Sequence, residues 1–150
     1  MIIRKAKESD INNNLLILYN EGYNMHYENR KDIFNSKKIV DLKNDLINML
    51  KNHEEFLFVI EEDNKILGYA ALRIKDKVTK TIWIDEIIID GNYRNKGYGK
   101  KMIEQINTFA KENECTRIEL NCWSFNKNAI NFYNKLGFAE QRVIFEKKVK

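Results

Sequence analysis

The residues from Trp83 to Lys100, WIDEIIIDGNYRNKGYGK, join a β-branched apolar run to a break at Asp90-Gly91 and then to a basic, glycine-containing turn that opens a helix. Arg94-Asn95-Lys96-Gly97-Tyr98-Gly99 is the part that can do chemistry. Free main-chain N–H groups point outward at a helix N-terminus, and glycine lets a ligand approach them closely, so this turn suits a phosphate group. Lys100 and Lys101 extend the local positive charge. Two adjacent carboxylates, Asp85 and Glu86, stand on the strand that leads in. Neighbours on a strand point to opposite faces unless a bulge intervenes.

The elements that must position this turn follow from hydrophobic periodicity. Met1 to Lys5 reads as a first strand. A helix capped by Ser9 or Asp10 runs to about Glu21 on Ile11, Leu15, Leu18 and Tyr19, and a second covers Val40 to Asn52 on Leu42, Leu46, Ile47 and Leu50. Between them, Gly22–Lys38 is polar but rich in aromatics, a long connection that suits a binding loop or a short helix of its own. Phe56–Ile60, Ile66–Ile74 and Thr81–Ile89 form an antiparallel meander with turns at Glu61–Lys65 and Lys75–Lys80. The helix after the glycine turn runs to about Asn113. The strand Arg117–Cys122, reached through that helix, lies parallel to Thr81–Ile89. A last helix, Asn126–Leu136, stops at Gly137, and Phe138–Val149 closes the chain as a strand or bent pair. The order βααβββαβαβ predicts an α/β (or α+β) fold: a mixed, mostly antiparallel twisted sheet flanked by helices on both faces, in one domain over 1–150.

This order argues against a dinucleotide-binding domain, whose glycine fingerprint follows the first strand. The sequence GxxxxGK[ST] of nucleoside triphosphate loops is absent as well. Among 150 residues, 43% are hydrophobic and 32% charged, and 26 Lys and Arg against 22 Asp and Glu leave a net charge of +4 with mixed signs. That is a globular composition without the basic face of a nucleic-acid binder. Cys115 and Cys122 fit neither a disulfide framework nor a zinc site. Reduced thiols and the lack of an apolar leader or membrane-length run give a cytoplasmic expectation, with no metal, nucleic acid or membrane partner.

With these elements in place, the chain resembles the GCN5-related N-acetyltransferase (GNAT) superfamily. Two motifs carry the resemblance. Arg94–Gly99 is similar to the family's R/Q-x-x-G-x-G/A segment, and Asn128-Ala129-Ile130-Asn131-Phe132-Tyr133-Asn134-Lys135-Leu136-Gly137-Phe138 is similar to its N-x-x-A-x-x-F-Y-x-x-x-G-F signature, with Asn126 as a further upstream asparagine. The resemblance implies acetyl-CoA as cofactor, coenzyme A as product, and direct attack by an amine without an acetyl-enzyme. It places the pyrophosphate on Arg94, Asn95, Lys96, Gly97, Tyr98, Gly99 and Lys100. The pantetheine arm lies along Ile87, Ile88 and Ile89 in a slot opposite Leu120–Cys122, with Asn121, Asn126 and Asn128 as further coenzyme contacts.

For catalysis it implies Tyr133 as the acid that protonates the departing thiolate; a core tyrosine of the helical stripe is the other reading. Glu86 is the favoured base, acting through water, with a surface carboxylate or ammonium anchor as the alternative. Substrate contacts are expected from Tyr23, His26, Tyr27, Asp32 and Phe34, from Asp85, and from Trp123, which also reads as a packing residue. The expected reaction is acetyl transfer to a primary amine in a ternary complex, on a small molecule. A non-catalytic acyl-CoA-binding module and a protein or peptide N-acetyltransferase are the alternatives. The C-terminal edge strand and exposed aromatics leave room for a homodimer.

Overall fold

The computed structural model describes residues 1–76 and 78–149. Five strands form one sheet in chain order: β1 (Ile2–Lys5), β2 (Glu55–Glu62), β3 (Lys65–Asp76), β4 (Thr81–Ile89) and β5 (Arg117–Leu120). The first four pair antiparallel and β5 runs parallel to β4, as a crossover through a helix requires. Helices α1 (Leu16–Asn29) and α2 (Ile39–Lys51) cover one face, and α3 (Tyr98–Glu112) covers the other, where α4 (Lys127–Lys135) also packs. The mixed, mostly antiparallel sheet between helices is therefore the predicted fold. Part of the turn expected at Lys75–Lys80 involves Lys77, which lies outside the described residues.

Both faces of the sheet are buried, which is why β2 and β3 read as nearly continuous apolar runs rather than alternating ones. Phe58, Ile60, Leu67, Ala70 and Leu72 face α3, whose Met102, Ile103, Ile106 and Phe109 close that core. Leu57, Val59, Ile66, Tyr69 and Ala71 face the other way, onto Leu15, Leu18 of α1 and Leu46 of α2.

Three details differ from the sequence expectation. The first helix is broken: a 3-10 turn at Glu8–Asp10 and a wide turn at Ile11–Leu15, with Asn14 at φ 72°, precede α1. Asn14 supplies the reason, since its Nδ2 donates to the carbonyl of Ile66 and to Asp90, tying this kink to β3 and to the end of β4. The helix then continues through Gly22 to Asn29, into the connection read as a binding loop or a short helix of its own. Finally, Phe138–Val149 forms no strand. Residues 139–149 lie exposed, without a main-chain hydrogen bond among the described residues, so the closing strand is corrected to an unpaired tail.

Candidate active site

β4 is the strand on which the site is assembled. Its parallel pairing with β5 runs from Thr81↔Arg117 to Ile84↔Leu120 and stops there, while β4 continues to Ile89 against β3. From Asp85 to Ile89 the edge of β4 is open, and the expected gap opposite β5 begins just past Leu120. Asp90 donates its N–H to the carbonyl of Leu67, so the main-chain groups of Asp90 and, by alternation, Ile88 serve β3. Those of Ile87 and Ile89 turn to the gap. Ile88 contributes a side chain instead, packed against the α1 face.

The turn after β4 carries the expected free donors. Asp90 caps a 3-10 turn by accepting from the N–H of Asn92, Asn95 adopts φ 60°, and Gly97 at φ 86° starts α3. No N–H from Asn95 through Lys100 is bonded within the described residues, and the first helical bond runs from Lys101 N–H to the Gly97 carbonyl. Six consecutive donors at the N-terminus of a 15-residue helix fit an anionic diphosphate. The side chains differ in their parts. Arg94 donates through Nε to the Ile89 carbonyl (3.0 Å), and Lys96 donates to the Asn92 carbonyl (3.2 Å) while lying over the Tyr93 ring. Tyr98 donates its hydroxyl to Glu62 (2.6 Å). These three brace the turn; Lys100 is exposed beside it. Gly99 is small for a packing reason, because a Cβ there would stand 2.9 Å from the Phe132 ring on α4.

The two carboxylates are brought to one side by a bulge. In the β3–β4 ladder Ala71 pairs Glu86 and Leu72 pairs Ile84, so Asp85 is the extra residue. As a result Asp85 and Glu86 both line one cavity of about 470 Å³ between α1, α2 and the sheet, together with Tyr19, Asp45, Glu55 and Arg73. Four carboxylates against one guanidinium make it acidic, although Arg73 pairs with Asp85 (3.3 Å) and Lys37 with Asp45 (2.9 Å). Glu86 lies half-buried against α1 at Gly22. Burial raises its pKa to about 7, partly opposed by the Tyr69 hydroxyl and reinforced by Asp85. Tyr69 is fully buried and directed at Glu86, yet its hydroxyl makes no bond of regular geometry.

Gly22 makes room for this carboxylate, since a Cβ on it would collide with Glu86 Oε1. An interior helical glycine ordinarily costs about 1 kcal/mol relative to alanine. Here we expect the reverse: Gly22→Ala lowers the melting temperature and displaces Glu86, moving the acid limb of the pH–rate profile. A higher melting temperature with an unchanged profile would contradict this placement.

Tyr133 lies on α4 between the rings of Phe132 and Phe138 (centroids 5.2 and 5.4 Å). Burial holds its phenol protonated far beyond the ordinary tyrosine range, and Cys122 and Glu86 are near enough to add to the shift. Tyr133 packs against the same core as Leu120, the last residue of β5. Asn126 accepts from the N–H of Ala129 (3.3 Å) as the cap of α4, and Asn121 and Asn128 are exposed.

The expected substrate residues divide into two groups. Asp85 belongs to the acidic cavity. Tyr23, His26, Phe34 and Trp123 instead form an aromatic cluster with Phe125 at the end of α1. His26 donates Nδ1–H to the Gly22 carbonyl (2.8 Å), which leaves Nε2 as its free nitrogen. Asp32 is neutralised by Arg30 (2.9 Å), whose guanidinium holds its pKa down at about 2 and lies 4.8 Å over Trp123. Tyr27 stays outside the cluster, under Lys31. Sequence reasoning missed Tyr19, Asp45, Tyr69 and Arg73, which meet only after α1 and α2 cross the sheet. Gly22 was the available signal, a glycine inside a helical stretch.

The family model described as the acetyltransferase (GNAT) family matches residues 19–138. An N-acetyltransferase of Methanocaldococcus jannaschii is 32% identical over 103 residues, covering 64% of this chain and 44% of that protein. A spermine/spermidine N(1)-acetyltransferase of Bacillus subtilis is 37% identical over 82 residues, covering 51% and 54%. The chain thus spans about half the length of these curated relatives. Among solved structures, the BH1408 protein from Bacillus halodurans superposes with a TM-score of 0.90 at 25% identity, over 100% of both chains.

Proposed function

Because the chain belongs to the acetyltransferase (GNAT) family, we propose that it transfers an acetyl group from acetyl-CoA to a primary amine of a small, multiply cationic molecule. The observation that carries this reading is the bulge that turns both Asp85 and Glu86 into the acidic cavity, beside the open edge of β4. An amine reaches such a cavity as its ammonium ion, attracted by carboxylates in a partly desolvated setting. A second ammonium would find Asp45 and Glu55 on the same walls. The relative from Bacillus subtilis, whose name gives spermine and spermidine as substrates, supports a polyamine. A phosphorylated sugar, as in the names of other relatives, would meet repulsion from the same carboxylates.

Acetyl-CoA supplies the activated thioester. The N–H groups of residues 95–100 hold its pyrophosphate, and the gap-facing amides of Ile87 and Ile89 pair with its pantetheine amides as an added strand would. Glu86 takes the proton that the ammonium must lose before its nitrogen can attack the acetyl carbon; a base with a pKa near 7 is suited to this at neutral pH. Tyr133 donates its phenolic proton to the sulfur as the carbon–sulfur bond breaks. As the amide forms the nitrogen loses a second proton, which by way of solvent restores the one Tyr133 gave to the sulfur; coenzyme A leaves as the thiol, and the one net proton, held on Glu86, passes to solvent.

The test is free-thiol release from acetyl-CoA across linear polyamines, glucosamine 6-phosphate, aminoglycosides and peptides, with mass spectrometry to locate the acetyl group. Polyamines are expected to turn over fastest. Turnover confined to peptides would refute the substrate class. Binding of acetyl-CoA with no thiol release from any amine would favour a non-catalytic binding module.

A further inference from the structure

Among the described residues, the Tyr69 hydroxyl is a fully buried polar atom without a regular hydrogen bond. Leaving a buried phenol unpartnered destabilises a fold, and phenylalanine would fill the same space, so packing alone does not account for a tyrosine here. The β3–β4 register supplies the missing partner. Tyr69 pairs Ile88 and Ala71 pairs Glu86, which makes Tyr69 and Glu86 diagonal neighbours on the face covered by α1 and α2. Glu86 lacks a donor in turn. Arg73 pairs with Asp85 and Lys37 with Asp45, while no cation pairs with Glu86 among the described residues. From α1 it meets Gly22, which has no side chain to donate from. The Tyr69 ring is fixed by the core and by Tyr19, edge-on at 6.2 Å, which leaves rotation of the hydroxyl hydrogen as its freedom. Burial and the nearby Glu86 keep this phenol protonated well beyond the ordinary tyrosine range.

We propose that Tyr69 is a positioning residue for the proton transfer: its hydroxyl donates to the Glu86 carboxylate and, once Glu86 has taken the ammonium proton, turns to accept from the new carboxylic acid. This role presupposes Glu86 as the proton acceptor proposed above. A hydroxyl serves both states because it carries one O–H and two lone pairs. A lysine or arginine could only donate, and would hold Glu86 ionised. No proton crosses Tyr69, which keeps its own throughout. The other groups around Glu86 do not offer this exchange. Asp85 on β4, Asp45 on α2 and Glu55 on β2 line the same cavity as like charges. Arg73 on β3 is engaged by Asp85, and the Tyr19 hydroxyl on α1 is directed at Asp45. Tyr133 on α4 senses the charge of Glu86, but its proton is assigned to the sulfur.

Tyr69→Phe keeps the ring and removes the donor. Glu86 then ionises less readily, so the acid limb of kcat/KM with a polyamine should move up by about one pH unit, a roughly tenfold loss on the limb that shrinks at alkaline pH. Thermal melts read the same contact without turnover. Losing the donor raises the folded-state pKa of Glu86 further, and a raised carboxyl pKa costs stability only where the group ionises. Relative to wild type, the variant should melt as high or higher at pH 5 and about 2–4 °C lower at pH 9. In the Glu86→Gln background the same substitution should shift the melt equally at both pH values. A melt difference independent of pH in the wild-type background, or one still dependent on pH in the Glu86→Gln background, would overturn the contact. A pH-dependent melt difference with an unmoved acid limb would overturn the role by a different route, since the contact would stand and Glu86 would fail as the base.

Discussion

Tyr133→Phe is expected to lower kcat by about 100-fold while leaving KM for acetyl-CoA nearly unchanged. The substitution removes one oxygen and keeps the ring, so the contacts with Phe132 and Phe138 survive. The melting temperature should hold or rise slightly, because a hydroxyl is no longer taken out of water. The loss falls on the step in which the sulfur needs a proton, which is why kcat carries it. Burial raises the folded-state pKa of this phenol, so the wild-type enzyme should show no alkaline fall in kcat from this group up to about pH 10. Steady-state kinetics with single-turnover controls would check both points. An unchanged kcat would return Tyr133 to a packing role.

The second large effect separates catalysis from stability at one residue. Glu86→Gln should lower kcat/KM by about 100-fold and remove the acid limb centred near pH 7. Stability should move the other way. Burial raises the folded-state pKa above that of the unfolded chain, so the unfolded state ionises first as the pH rises. Wild-type stability is then highest below the ordinary glutamate range and is lost progressively up to about pH 7. The shift corresponds to a cost of up to about 3 kcal/mol at alkaline pH. Neutral glutamine avoids ionisation but still buries an amide, so a gain of about 1–2 kcal/mol at pH 8, and little below pH 4, is expected. Thermal melts across pH for both proteins would check this. Equal stability at pH 8 with the acid limb intact would remove Glu86 from both roles.

The sheet and the glycine turn that opens α3 were legible in the sequence because they rest on local signals. Apolar runs bounded by Asp63-Asn64 and Asp90-Gly91 mark the meander, and Arg94–Gly99 marks the start of α3. The acceptor side was less legible, since it depends on what crosses what. Polar residues and Gly22 masked the second half of α1, a helix stabilised by packing on β4 rather than by a clear apolar stripe. The bulge that sends Asp85 and Glu86 to the same cavity adds one residue to β4, and no residue type announces it. Phe138–Val149 has the composition of a strand, but pairing needs a neighbour that this chain alone does not present. Arg94 illustrates the same limit at one residue: its spacing points to phosphate, whereas its Nε is engaged by the Ile89 carbonyl and the unbonded donors of the turn are main-chain N–H groups.

We propose that an acyl-bearing coenzyme is held along the open edge of β4 and at the N-terminus of α3. Titrating the isotopically labelled protein with acetyl-CoA while following main-chain amide resonances tests it most directly. The largest shifts are expected at Asn95–Lys100, with smaller ones at Ile87 and Ile89. Saturable binding that leaves those amides unmoved and shifts another part of the chain would contradict it.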